Sequence, residues 1–299
     1  MDHRGNVRRG LCGGSGGGGL EWSYVHGACD TPLRNQTVGN IFQETTDRIP
    51  DQDLFIFPHQ NIRKTFQQVF QEAEQLACGF LSVGLRRGER VGIWSPNYYE
   101  WTLVQMAAAL AGLILVNINP AYQTPELAFV VRKVNLAAMI IAENFKTQDY
   151  YQMMLQICPD LATAKPGGLK EAKGCWTFDE IAVEAGDSES RRRVQQLKTE
   201  IQADDPVNIQ FTSGTTGSPK GATLSHHNII NNSYFLGRRL GYHAQKTIVM
   251  VAPPLYHCFG CVLGSLNAVV HGTTCVFPAP SFKPEPCLKA IQDYKLVLI

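Results

Sequence analysis

Between Ile209 and Ala222 the chain reads Ile-Gln-Phe-Thr-Ser-Gly-Thr-Thr-Gly-Ser-Pro-Lys-Gly-Ala, an apolar strand pattern running directly into hydroxyls, glycines and one lysine. This is the composition of a loop that holds phosphate. Gly214, Gly217 and Gly221 let the backbone approach an anion and expose N–H donors to it. Ser213, Thr215, Thr216 and Ser218 supply short hydroxyl donors, and Lys220 adds a mobile positive charge. The spacing is not that of a Walker loop, because Pro219 stands five residues after Gly214 and Gly221 follows Lys220. Nor is it G-x-G-x-x-G. A solvated connection gathers such residues loosely, whereas here they form an unbroken run between two apolar segments.

Other reactive types are sparser. Nine cysteines are scattered along the chain, an odd number that argues against a secreted disulfide framework and for a reducing compartment. The one close pair, Cys258 and Cys261, lacks the second pair or histidine ladder of a zinc site. Its apolar neighbours predict buried structural thiols that do not react with alkylators at neutral pH, rather than a redox pair. His226 and His227 follow Ser225 at the start of a helix, where capping and packing are expected. His257, taken alone, reads as a core or helix-capping histidine.

The elements that must position these residues follow from periodicity. Thr65 and Gln68 form a capping box ahead of a helical apolar stripe at Phe66, Val69, Phe70, Ala73, Leu76, Ala77 and Phe80, and Gly84 can end that helix. Strands are expected at 54–57, 90–94, 113–118, 137–142, 207–212, 246–251 and 273–277, with a further one starting at 295. Helices are expected at 99–111, 125–134, 228–240, 260–270 and 285–294, and a solvated polar helix over 188–205. Regularity stops between Cys158 and Trp176. Trp94, Trp101 and the aromatics of the Phe66 helix suit core packing. Helices alternating with continuous apolar strands predict an α/β fold with a parallel sheet covered on both faces.

Composition sets the bounds. With 44% hydrophobic and 18% charged residues, the 299-residue chain can bury a large core. Its 27 basic and 26 acidic residues give +1, which provides no global field for nucleic acid or an acidic membrane. The longest apolar run, residues 106–116, is too short to span a bilayer, so no transmembrane helix is expected. Order is expected from about Thr37. Residues 1–36 read as a flexible Gly/Arg-rich tail, whose Arg4, Arg8 and Arg9 suit a mitochondrial presequence and whose glycines weaken the amphipathic helix one requires.

At the level of motifs the chain resembles the adenylate-forming acyl-CoA synthetases, relatives of luciferases. Thr212 to Gly221, TSGTTGSPKG, is similar to their signature phosphate loop, and the seven residues from Ala222 to Asn228 to its continuation. Pro254-Leu-Tyr-His-Cys-Phe-Gly260 resembles the motif at the acyl pocket, and the segment from Ala111 to Tyr122 an earlier structural one. The resemblance implies that residues 37–299 are an incomplete N-terminal AMP-binding domain of the adenylate-forming fold, its sheets mostly parallel and covered by helices. It also implies an ATP-dependent ligase that joins a fatty acid, medium-chain by the wording around the loop, to coenzyme A through an acyl-adenylate. Thr212, Ser213, Gly214, Thr215, Thr216, Gly217, Ser218, Pro219 and Lys220 would hold the phosphates with Mg2+, and His257 would lie near the acyl carboxylate. The implied location is the mitochondrial matrix, with the cytoplasm as alternative. The family's adenine-binding Tyr-Gly-x-Thr-Glu, its ribose-binding Thr-Gly-Asp and its C-terminal domain with a catalytic lysine have no counterpart here. A truncated, non-catalytic nucleotide-binding fragment or regulatory isoform is therefore the second expectation. The loop at 166–174 is shorter than in relatives, leaving one of their strands without an evident counterpart.

Overall fold

The capping box at Thr65 forms as expected: the Thr65 hydroxyl accepts from Gln68 N, and the Gln68 side chain accepts from Thr65 N. It starts a helix over Phe66–Ser82 whose apolar stripe is buried, and Gly84 follows with φ +87°. The computed structural model describes residues 30–162, 174–177, 187–212 and 219–296. Within it the helices are α1 (Val38–Arg48), α2 (Phe66–Ser82), α3 (Tyr99–Leu110), α4 (Thr124–Lys133), α5 (Tyr150–Ile157), α6 (Ser188–Glu200), α7 (His226–Arg239), a broken α8 described below, and α9 (Pro284–Tyr294). The main strands are β1 (Asp53–Phe57), β2 (Ile62–Thr65), β3 (Arg90–Trp94), β4 (Ile114–Ile118), β5 (Ala138–Ile141), β6 (Gly174–Thr177), β7 (Pro206–Thr212), β8 (Lys220–Ser225), β9 (Ile248–Met250) and β10 (Thr274–Val276). Most of the expected tail, residues 1–29, and residues 297–299 lie outside the described residues. Lys295 and Leu296, where a strand was expected, are not strand.

Periodicity suggests one parallel sheet; the strands form two, mostly parallel as the family resemblance implies. One has the order β8-β7-β4-β3-β5-β6, parallel except for β8, which runs antiparallel to β7. The other has the order β9-β10-β1-β2, with β2 antiparallel to β1. Both antiparallel strands are edges, and both were missed for the same reason. Lys220–Ser225 and Ile62–Thr65 are mostly exposed or half-buried, so neither carries a buried apolar run to betray it. The strand that lacked an evident counterpart also exists: Gly174–Thr177 pairs in parallel with Ala138–Ile141. It is a four-residue edge, too short for a periodic signal.

Both faces of the six-stranded sheet are covered, as period-2 alternation requires. Val91, Ile93, Leu115, Ala138 and Ile140 join the core that holds α2 and α3. Trp94, Val116, Ile118, Met139 and Ile141 face the other way, onto α4 and α5, where Trp94 stacks on Tyr150 with ring centroids 3.7 Å apart. The polar segment after Asp187 is a helix but is not wholly solvated. Ser190, Val194 and Leu197, at i, i+4 and i+7, are buried on the face that meets α2.

The buried histidine near the hairpin has a structural task. His226 is 1% exposed, and its Nδ1 accepts the N–H of Val38, the first residue of α1, from 188 positions away. Capping was the expectation; the helix it caps is α1 as well as its own surroundings. Burial pushes the His226 imidazole down to about 4, partly offset by Asp205. Protonation is thus disfavoured in the folded state. Stability from this group is complete above the ordinary histidine value of 6.5 and is lost as pH falls from there through about 4. In urea titrations across this window, the wild-type chain should lose stability relative to His226→Gln with a slope approaching one proton, about 1.4 kcal/mol per pH unit. Parallel pH profiles for the two proteins would contradict this role.

Candidate functional site

The phosphate-type run begins on β7 and ends on β8, two antiparallel partners. β7 carries the chain outward to Thr212, and β8 brings it back from Lys220, with Thr212 and Lys220 paired across the ladder. The Thr212 hydroxyl donates to the Lys220 carbonyl at 3.5 Å, and both residues are exposed. Pro219 is half-buried at the foot of the returning arm. Ser213, Gly214, Thr215, Thr216, Gly217 and Ser218 lie outside the described residues. β7 is parallel to β4, so Thr212 stands at the carboxyl ends of the parallel strands. The chain order reverses about β3, with β4 on one side and β5 on the other, and that end of such a sheet is where ligands bind.

Along β7, Asn208, Gln210 and Thr212 share one face, and the first two are buried at 6% and 7% exposure. Asn208 Nδ2 donates to the Leu115 carbonyl at 3.0 Å and to Asn117 Oδ1 at 2.8 Å. Gln210 Nε2 donates to Asn208 Oδ1 at 2.9 Å and to the Cys261 sulfur at 3.1 Å. Asn117 Nδ2 donates to the Tyr256 carbonyl at 3.1 Å and to the same sulfur at 3.3 Å. Six amide hydrogens find five acceptors, the Cys261 sulfur serving two of them. This cluster was not expected. Its signal was present as amides at alternate positions in otherwise apolar strands, Asn208 and Gln210 on one and Asn117 on the next.

The Pro254–Gly260 motif is clamped beside these strands. Asn97, 2% exposed, donates from Nδ2 to the Pro253 carbonyl at 3.0 Å and accepts Leu255 N at 2.7 Å. His257 caps the short turn Cys258–Gly260, its Nδ1 accepting Phe259 N at 3.1 Å. The neutral ring therefore carries its proton on Nε2, where it can donate to an anion. His257 is exposed. Gly260 explains the spacing of the motif: a Cβ there would overlap the Pro254 carbonyl and approach Leu255 N to 2.8 Å. The expected helix 260–270 is broken. After Cys258–Gly260 it passes through a π turn, Cys261–Leu266, before resuming as Asn267–His271. Gln105 Nε2 donates to the Cys261 carbonyl at 3.0 Å, and the Ser265 hydroxyl lies 2.9 Å from that carbonyl and 2.6 Å from Gln105 Oε1, its one hydrogen shared between them.

Burial corrects the reading of the cysteine pair. Cys261 is buried as expected, and burial pushes its thiol up to about 12 against the two amide donors. Cys258 is exposed, because the chain enters the turn from the surface and only its fourth residue reaches the sheet. Among the described residues, no three His, Cys, Asp or Glu side chains converge as a metal site.

Comparison with known proteins adds an independent line. The family model described as AMP-binding enzyme matches residues 42–299. The medium-chain acyl-CoA ligase ACSF2, mitochondrial, of Danio rerio is 44% identical over 296 residues, covering 94% of this chain and 49% of that protein. Its Homo sapiens counterpart is 41% identical over 293 residues, covering 92% and 47%. The chain thus spans about half the length of these curated relatives. The solved structure of ATP-bound MatB from Rhodopseudomonas palustris superposes with a TM-score of 0.70 at 20% identity, over 86% of this chain and 48% of that one, a likeness of fold.

Two outcomes follow from this geometry. Iodoacetamide at neutral pH should label Cys258 in the folded protein and leave Cys261 unmodified, read by peptide mass spectrometry; equal labelling would contradict the burial difference. Gly260→Ala should cost about 1–3 kcal/mol by overpacking against fixed backbone. Chemical denaturation measures it, and a neutral result would remove the steric account of this glycine.

Proposed function

This chain belongs to the AMP-binding enzyme family, and on that premise we propose that it carries the nucleotide-phosphate and acyl-carboxylate side of an ATP-dependent, medium-chain fatty acid–CoA ligase of the mitochondrion. The observation that carries the proposal is the β7–β8 hairpin, whose Thr212 and Lys220 flank a loop of hydroxyls and glycines at the carboxyl end of a parallel sheet. A carboxylate is a poor electrophile. In the proposed reaction its oxygen attacks the α-phosphorus of ATP, the bond to the β-phosphate oxygen breaks, and pyrophosphate leaves. The thiol of coenzyme A then attacks the acyl carbon and AMP leaves with the bonding pair.

The chain's own residues serve the first step. Negative charge gathers on the departing pyrophosphate, and backbone N–H groups of the loop, the Thr212, Ser213, Thr215 and Thr216 hydroxyls and the Lys220 ammonium would hold it. The hairpin fixes Lys220 opposite Thr212, so its charge stands at the mouth of the loop. His257, with its proton on Nε2, would donate to the acyl carboxylate and help exclude water. Magnesium suits this chemistry, since it binds phosphate oxygens while keeping much of its water. Among the described residues, no three His, Cys, Asp or Glu side chains group together around a site for it.

A second reading keeps the phosphate site without the chemistry: these residues bind nucleotide and do not complete catalysis. Titration calorimetry separates the readings from failure of both. ATP should bind, and Lys220→Ala should weaken it by about tenfold or more, the worth of a charge-assisted contact. An ATP affinity untouched by Lys220→Ala would sink the phosphate-site reading. Octanoate-dependent ATP–pyrophosphate exchange that Lys220→Ala abolishes would decide for catalysis.

A further inference from the structure

We propose that Gln210 and Asn117 are positioning residues that lock the His257-bearing turn to the strand leading into the phosphate hairpin, with the Cys261 sulfur as their shared acceptor. The proposal rests on the function proposed above and adds the device that keeps its two halves in register.

The two halves come from distant parts of the chain. Gln210 stands two residues before Thr212, on the same face of β7. Asn117 lies on the neighbouring strand, paired with Gln210 in the ladder. Asn117 reaches the His257 turn at the Tyr256 carbonyl, one residue before the histidine, and both amides reach it again at the Cys261 sulfur, four residues after it. His257 is therefore held on both sides by groups anchored in the sheet. A thiol sulfur is a weak acceptor, but at 1% exposure no water competes for the two N–H groups. Because burial keeps Cys261 a neutral thiol, the contact adds no charge beside the phosphate site. The Cys261 carbonyl is held in turn by Gln105 and Ser265, so the residue cannot turn away without breaking bonds at both ends.

The test separates an acceptor from mere filling. In Cys261→Ala two buried N–H groups lose their partner; in Cys261→Ser a hydroxyl oxygen replaces the sulfur. The readouts are hydrogen exchange of the Gly260 and Cys261 amides, both bonded to the His257 carbonyl, with amides of Phe66–Ser82 as control, and ATP affinity by calorimetry. Cys261→Ala should speed exchange at the turn about tenfold and weaken ATP binding, while the control helix is unchanged. Cys261→Ser should return both readouts to within about threefold of wild type. If the serine variant behaves like the alanine one, or if the control helix accelerates equally, the positioning role is overturned. Should Cys261→Ala fail to fold, Gln210→Met removes a donor without shortening the chain; local acceleration is again expected, and its absence would overturn the proposal. If the variants show this exchange pattern but wild type binds no ATP, the functional reading has failed and the geometry of the lock has not.

Discussion

Much of this structure depends on one requirement: the amides placed in its central strands must all be satisfied. A buried N–H without an acceptor costs about 1–3 kcal/mol, so a half-satisfied cluster at the middle of the sheet would be worse than an apolar one. Asn117, Asn208 and Gln210 meet the requirement only when β4 lies beside β7 and when the Tyr256–Cys261 turn sits over both. The same bonds that avoid the penalty therefore set the sheet order and the position of the turn. A Val or Leu at these places would pack, but would tolerate sliding that directed hydrogen bonds do not.

From that node the site is built outward along short covalent distances. Two residues beyond Gln210 the strand reaches Thr212 and the proposed phosphate loop; four residues before Cys261 stands His257. Thr212, Lys220 and His257 are exposed, while Gln210 and Cys261 are buried. Exposure lets the chemistry meet a charged ligand, while burial of the neighbours keeps the exposed groups in place. The glycine at 260 belongs to the same economy of space, since the turn can lie close against the Pro254 backbone only where no side chain intervenes.

The fold itself was legible wherever residues are buried on a regular period. The stripe of Phe66–Ser82 and the continuous apolar strands Arg90–Trp94 and Ile114–Ile118 carry their own burial pattern, and the strands and helices they predict lie within two residues of those found. The edge strands Ile62–Thr65 and Lys220–Ser225 escaped because neither carries a buried apolar run. Lys220–Ser225 mixes lysine, glycine and two hydroxyl residues with Ala222 and Leu224, yet it forms one arm of the hairpin. α1 escaped because its buried face includes Thr45 and Thr46, which break an apolar stripe.

The sequence by itself carries the proposed chemistry of the site, because its hydroxyls, glycines and cation stand in one unbroken run and adjacency along the chain is visible without a fold. It likewise determined the α/β class, through periodicity. Only the tertiary structure decided that there are two sheets, that Cys258 is open to solvent while Cys261 is sealed, and that His226 caps a helix 188 residues away. It also decided that three amides and a thiol meet beneath the hairpin. Those facts concern which distant residues share a neighbourhood. They follow from close packing and from satisfying every buried polar group at once, and neither condition can be evaluated one segment at a time.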